Sequence, residues 1–180
     1  KGGKNAQWID EEMSDLFLSQ AKQFITNNQS SPFFLLYTQH QPHVPRVPNP
    51  RFKGKSGLGA RGDAILEADW ALGNLLDFLD QQQLTDNTLI VFSSDNGPVL
   101  DDGYQDQSVT LNGEHTPAGH YRGGKYSLLD GGAHVPFIVK WPNKIKPGES
   151  NNLISQHDLL ASLANLVGEA VAKTDSENHL

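Results

Sequence analysis

Two short apolar runs with one long amphipathic segment between them constrain this chain more than anything else in it. Phe33-Phe34-Leu35-Leu36-Tyr37 and Thr88-Leu89-Ile90-Val91-Phe92 are too short for helices and suit buried strands. Between them, Ile65, Ala68, Leu72, Leu75, Leu76 and Leu79 recur at helical spacing and predict a helix over 62–82. Strand, helix, strand in that order is the unit of a right-handed parallel crossover. A third apolar run, Phe137 to Trp141, is ended by Pro142. Two more helices are predicted around this unit. One spans 10–27, with Met13, Leu16, Phe17, Ala21, Phe24 and Ile25 on its apolar face, Asp10 as cap and Asn27-Asn28 as the stop. The other spans 157–167, with Leu159, Leu160, Leu163, Leu166 and Val167 on one side and Gly168 as C-terminal cap. The pattern predicts an α/β fold, a mainly parallel sheet flanked by helices, with residues 1–180 forming one domain.

Function is expected where the regular elements give out. The segment 95–135 is too long for an ordinary connector, and its glycines and charged residues favour a functional loop. It opens with Ser93-Ser94-Asp95-Asn96-Gly97-Pro98, at the end of the strand 88–93. Ligands of open α/β sheets sit just outside the carboxyl ends of strands. Asp95 and Asn96 offer oxygens suited to a hard cation, and Gly97-Pro98 turns the chain behind them. An Asx turn that merely closes the strand is the competing reading of the same residues.

Three further places carry chemistry. His43 lies in Gln41-Pro42-His43-Val44-Pro45-Arg46, past the end of the run 33–37, with a proline on either side restricting the backbone. An imidazole held in one orientation suits proton donation to a leaving group, and a surface histidine in a rigid loop is the plainer alternative. His40 is nearby and less constrained. Lys125 sits in Arg122-Gly123-Gly124-Lys125-Tyr126-Ser127, followed by Gly131-Gly132. Such glycines allow close approach of a ligand, and the lysine can pair with an anionic group. Residues 41–62 hold Arg46, Arg51, Lys53, Lys55 and Arg61 and no acid, which can steer an anion toward His43 or simply be solvated. The acids Asp101, Asp102 and Asp106 lack the closing glutamate of an EF-hand loop and read as loop surface or substrate contact.

Composition closes off other classes. A net charge of −7 argues against a general nucleic-acid binder. No apolar run approaches the roughly 20 residues that span a bilayer. The absence of cysteine removes disulfides, thiolate metal sites and a cysteine nucleophile. The sequence begins at Lys1 without a signal peptide, so the natural N-terminus is expected upstream.

Taken in order, these motifs resemble one family, the sulfatases of the alkaline-phosphatase-like superfamily, most closely their arylsulfatase-type bacterial members. The resemblance is carried by Pro42-His43-Val44-Pro45, by Ser94-Asp95-Asn96-Gly97, and by Arg122-Gly123-Gly124-Lys125 running into Gly131-Gly132-Ala133-His134-Val135-Pro136-Phe137-Ile138-Val139-Lys140-Trp141-Pro142. It covers nearly the whole chain. It implies an alkaline-phosphatase-like core and hydrolysis of sulfate esters, with an aryl sulfate or a sulfated glycan as substrate. It also implies a divalent cation, calcium or magnesium, held by two N-terminal aspartates together with Asp95 and Asn96. His43 matches the histidine that contacts the sulfate and leaving-group oxygens, and Lys125 the lysine on a sulfate oxygen. His40, Arg46 and Arg122 are weaker substrate-binding candidates. A periplasmic or secreted location follows from the same resemblance.

The departures define what else is expected. The Cys/Ser-x-Pro-x-Arg motif that supplies the formylglycine nucleophile is absent, because Ser30-Ser31-Pro32 is followed by Phe33-Phe34 where arginine would close it. His134 stands where the family more often has arginine. The chain thus reads as the central to C-terminal part of a sulfatase catalytic core, with the nucleophile segment and the smaller C-terminal domain outside it. Asn96, in a place where phosphate-transferring relatives tend to have histidine, favours calcium or magnesium over zinc or manganese. A phosphoester or phosphonate hydrolase of the same superfamily, a non-catalytic carbohydrate-binding module and a generic α/β interaction domain are the competing readings.

Overall fold

A computed structural model describes residues 3–179 of the chain. The chain divides after Ile145 into two compact units. In the first, a 3-10 turn at Asp10–Glu12 leads into α1, Met13–Asn28. Then come α2, Gly59–Gln81, and β1, Ile90–Ser93. Two single-turn helices follow, α3 at Ser108–Leu111 and α4 at Asp130–Ala133, before β2 at Phe137–Lys140. Asp10 does not cap α1. Its carboxylate accepts the Trp8 indole N–H at 2.9 Å, in the turn that precedes the helix.

α1 and α2 pack along stripes that differ from the apolar count. α1 buries Ser14, Leu18, Ala21 and Ile25, while Leu16 is 49% exposed. α2 buries Ala64, Glu67, Ala71, Leu75 and Leu79, while Ile65 stays exposed. Both stripes keep helical spacing. On α2, Leu75 and Leu79 join the α1 residues of the core, whereas Glu67 bonds to Gln41 and Asn49 of the proline-rich loop. Leu18, Ala21, Ile25, Leu75 and Leu79 form the buried core, with Phe33, Leu35, Tyr37, Trp70, Phe78, Leu84 and Ile90 packed against it.

The sheet differs from expectation. Among the described residues it has two strands, β1 and β2, and they are antiparallel, with Ile90 opposite Lys140 and Ser93 opposite Phe137. The expected mainly parallel order does not arise between them. The loop leaving β1 brings the chain back at the same end, with Gly97 N–H on the Gly132 carbonyl at 2.8 Å, so no crossover intervenes. Residues 33–37 form no ladder. They keep the two-residue alternation of a strand: Phe33, Leu35 and Tyr37 face the helices, while Phe34 and Leu36 are 69% and 74% exposed. The alternation comes from packing on the helices alone.

The second unit is built on α5, Asp158–Leu166, which closes as expected on Gly168 at φ +78°. Asp158 accepts the backbone N–H groups of Ser155 at 2.8 Å and Glu177 at 2.9 Å, which folds residues 174–179 back along the helix. These bonds hold the Asp158 carboxyl below its usual range.

Candidate functional site

The loops that carry the candidate residues are far apart in sequence and are joined by one buried guanidinium. The Arg46 side chain is 2% exposed. It donates to Pro42 O at 3.1 Å within its own loop, and to Val99 O at 3.0 Å and Leu100 O at 3.4 Å in the loop after β1. It also donates to Asp106 Oδ2 at 2.7 Å and to the Ser108 hydroxyl at 2.6 Å. Only arginine presents enough rigidly forked donors for such a set. Asp106 is kept ionised: burial would raise its carboxyl, but bonds from Ser108 and Arg46 bring it below the usual range. A second buried acid, Glu67 on α2, is 1% exposed and ties down the same loop from beneath, accepting Gln41 Nε2 at 3.1 Å and Asn49 N at 3.2 Å. Its carboxyl is pushed up, chiefly by burial.

Glycines bring the third loop in. Gly97 N–H donates to Gly132 O, and Lys125 N–H donates to Pro98 O at 2.9 Å. A Cβ built at Gly97 would fall on the Gly131 carbonyl, one at Gly124 on Pro98 O, and one at Gly132 on the Ser127 and Gly124 carbonyls. These glycines serve backbone-to-backbone packing, and that packing sets Lys125 against the end of β1.

Lys125 and His43 meet as a result. Lys125 Nζ stands 3.3 Å from His43 Nε2, across 82 positions of sequence. His43 Nδ1 lies 2.7 Å from Val44 O. A carbonyl can only accept, so Nδ1 carries the hydrogen, and in the neutral ring Nε2 is the acceptor facing the ammonium. Lys125 Nζ also donates to Asp102 Oδ2 at 3.3 Å, and the Tyr126 hydroxyl donates to Asp102 Oδ1 at 2.5 Å. Asp102 is held below the usual carboxylate range, first by the Tyr126 hydrogen bond and then by Lys125 and the nearby His43. Burial would lower the Lys125 ammonium, but Asp102 and Tyr126 outweigh it and raise it. Tyr126 adopts φ +73°, a left-handed backbone that costs a bulky residue about 1–3 kcal/mol and tends to persist at functional sites.

Asp95 and Asn96 sit at the end of β1. Asp95 is exposed and its carboxylate makes no hydrogen bond or ion pair among the described residues. Asn96 donates its Nδ2 to Gly97 O at 3.0 Å, which leaves Oδ1 as a free acceptor. Two side-chain oxygens in adjacent positions fit a hard cation, and they supply part of the about six to eight oxygens that calcium takes. Among the described residues no cluster of three or more His, Asp or Glu completes such a site.

The remaining candidates divide. Arg46 was expected to face substrate, but every bond of its guanidinium goes to the protein. Within the basic loop Arg61 is buried, and Arg51 pairs with Asp15 at 2.9 Å and stacks 4.1 Å over Trp70, while Lys53 and Lys55 are exposed. His40 is half-buried, and its enclosed Nε2 has no hydrogen-bond partner among the described residues. The Arg122 side chain is exposed. His134 stacks on Tyr121 with ring centroids 4.3 Å apart. The sequence left Asp102 and Asp106 as loop surface or substrate contact, and the structure pairs them with Lys125 and Arg46. Their only sequence signal was an acid-rich turn facing a loop rich in Lys and Arg.

A family model described as "Sulfatase" matches residues 2–169. The chain is 53% identical over 182 aligned positions to an N-acetylgalactosamine-6-O-sulfatase of Bacteroides thetaiotaomicron, covering 99% of this chain and 36% of that protein. It is 38% identical to a rat steryl-sulfatase, covering 83% of this chain and 26% of that protein. The chain therefore spans roughly a quarter to a third of the length of these curated relatives. A solved 6S-sulfatase from a study of glycosaminoglycan metabolism in B. thetaiotaomicron superposes with TM-score 0.95 at 51% identity, covering 99% of this chain and 38% of that one. A Ps i-CgsB structure in complex with k-i-k-neocarrahexaose gives TM-score 0.75 at 28% identity, covering 99% of this chain and 39% of that one.

Proposed function

The chain belongs to the sulfatase family, and on that premise we propose that the protein carrying it hydrolyses sulfate esters of a glycan. The products are the free sugar hydroxyl and inorganic sulfate. The observation that supports this most is the approach of Lys125 Nζ to within 3.3 Å of His43 Nε2. A cation beside an imidazole nitrogen gives one group for an anionic oxygen and one for a leaving oxygen. The relative named N-acetylgalactosamine-6-O-sulfatase and the structure solved with k-i-k-neocarrahexaose favour a carbohydrate.

In this reading Lys125 offsets charge on a non-bridging sulfate oxygen as the S–O bond to the sugar breaks. Protonated His43 donates from Nε2 to the departing alcohol oxygen, while Nδ1–H stays on Val44 O and fixes the ring. Asp95 and Asn96 would hold a calcium or magnesium ion together with oxygens from outside the described residues. Such an ion, when bound, supplies further charge compensation at the sulfate oxygens. The formylglycine nucleophile is assigned to a segment outside these 180 residues. In the full protein the alkaline-phosphatase-like sheet is mainly parallel, and the alternating segment 33–37 is one of its strands. These residues form part of one catalytic domain, and the location is periplasmic or secreted. Among the described residues no helix is long and apolar enough to cross a membrane.

The test is substrate discrimination by the full-length protein. Release of sulfate from 6-O-sulfated N-acetylgalactosamine should exceed release of phosphate from the matching phosphate ester by at least about 100-fold in kcat/KM, roughly 2.7 kcal/mol. Preference for the phosphate ester would overturn the proposal.

A further inference from the structure

Lys125 has more to control than its charge. An ammonium on a flexible stem offers three N–H donors that rotate freely. One goes to Asp102 Oδ2 and, while the imidazole is neutral, one to His43 Nε2, both at 3.3 Å. Once the imidazole is protonated, Nε2 no longer accepts and that donor is released. We propose that Asp102 is a positioning residue, whose carboxylate holds the Lys125 ammonium beside His43 so that an N–H not bound to Asp102 faces the anionic oxygen of the substrate. This rests on the reading of His43 and Lys125 as the reacting pair.

The carboxylate is itself held. Tyr126 donates its hydroxyl to the other oxygen of Asp102, so Lys125 and its sequence neighbour converge on the same group. Adjacent side chains in extended backbone point to opposite faces. Here they converge because Tyr126 takes φ +73°. The unfavourable backbone at Tyr126 thus has a local product, which is the clamp on Asp102. The turn that presents Asp102 is fixed as well, with Gly103 N–H on Asp101 Oδ1 at 3.1 Å. Asp102 and Lys125 side chains are only 11% and 15% exposed, so water screens the pair weakly.

A loop acid with a merely structural part, and an acid that binds a sugar hydroxyl, make different predictions from a positioning residue. A positioning residue acts on the chemical step through Lys125, so its loss lowers kcat more than it raises KM. Misplacement of a reacting group by about 1 Å can cost on the order of 100-fold.

The experiment compares wild type, D102N, Y126F, K125A and D101N in the full-length protein, on 6-O-sulfated N-acetylgalactosamine. D102N is expected to lower kcat by about 10- to 100-fold with KM changed less than about threefold. Y126F should lower kcat in the same direction by less, and D101N, whose Oδ1 still accepts the Gly103 N–H, should leave kcat and KM at wild-type values. Wild-type kcat in D102N, or a rise confined to KM, would overturn the assignment of Asp102. K125A separates the two levels. If K125A loses activity while D102N keeps wild-type kcat, only the role of Asp102 fails. If K125A retains full activity, the reading of the pair fails with it.

Discussion

Replacing Arg46 with methionine should unfold the site from its centre. Methionine fills much of the same space, so the change isolates the lost donors rather than a cavity. Asp106 then stays in place, 14% exposed, facing an apolar side chain. The carbonyls of Val99 and Leu100 lose their donor too. Breaking a buried pair from one side costs about 3–5 kcal/mol. Asp106 retains the Ser108 N–H at 3.0 Å, which places the expected loss near the lower end, about 3 kcal/mol. For a unit of this size that is a fall of about 6–12 °C in Tm. Thermal unfolding followed by circular dichroism at pH 7 reads it directly. R46K should fall between wild type and R46M, since it keeps the charge and loses the fork. The double variant R46M/D106L should recover much of the stability, because no charge is left buried alone. It should not recover activity, because the loop of His43 is no longer tied to the loop after β1. An R46M protein melting within about 2 °C of wild type, or a double variant less stable than R46M, would refute the reasoning.

Three other outcomes follow from the same geometry. Gly97→Ala should cost several kcal/mol and abolish hydrolysis, because its Cβ meets the Gly131 carbonyl; equilibrium urea unfolding checks the first and sulfate release the second. Asp106 has its carboxyl held below the usual range, so its contribution is present at neutral pH and is lost as pH falls through that lowered value. The stability gap between wild type and D106N should therefore shrink below about pH 4, in melts taken across the acid range. Glu67 carries the opposite sign: its carboxyl is raised, so its ionisation increasingly opposes folding as pH rises past the ordinary glutamate range. The stability of E67Q relative to wild type should improve over that interval and level off above it, in the same melts.

Much of this was legible in the residues. The amphipathic periods located α1, α2 and α5, and the apolar runs located β1 and β2, because burial enforces those spacings locally. Strand pairing was not legible. Whether β1 and β2 run parallel depends on where a long loop returns, and Gly97 and Gly132 decide that through a contact between distant residues. The stripe on α2 was missed for a related reason. Glu67 is buried by its bonds to Gln41 and Asn49, and no count of apolar residues finds a buried acid. At the site, the approach of His43 to Lys125 agrees with the motifs. The partners of Arg46, Asp102 and Asp106 were not legible, because a charge in a polar loop finds its partner elsewhere in the chain. Asp95 and Asn96 keep the free oxygens that a cation site needs.

The most direct measurement is a double-mutant cycle on His43 and Lys125 in the full-length protein, read as kcat/KM for a sulfated sugar. Groups that act as one unit show strongly non-additive losses. If the two side chains act together on one sulfate group, H43A and K125A should each lose at least about 100-fold, and the double variant should lose little more than the worse single. Losses that multiply in the double variant, or a K125A enzyme near wild-type activity, would contradict the account.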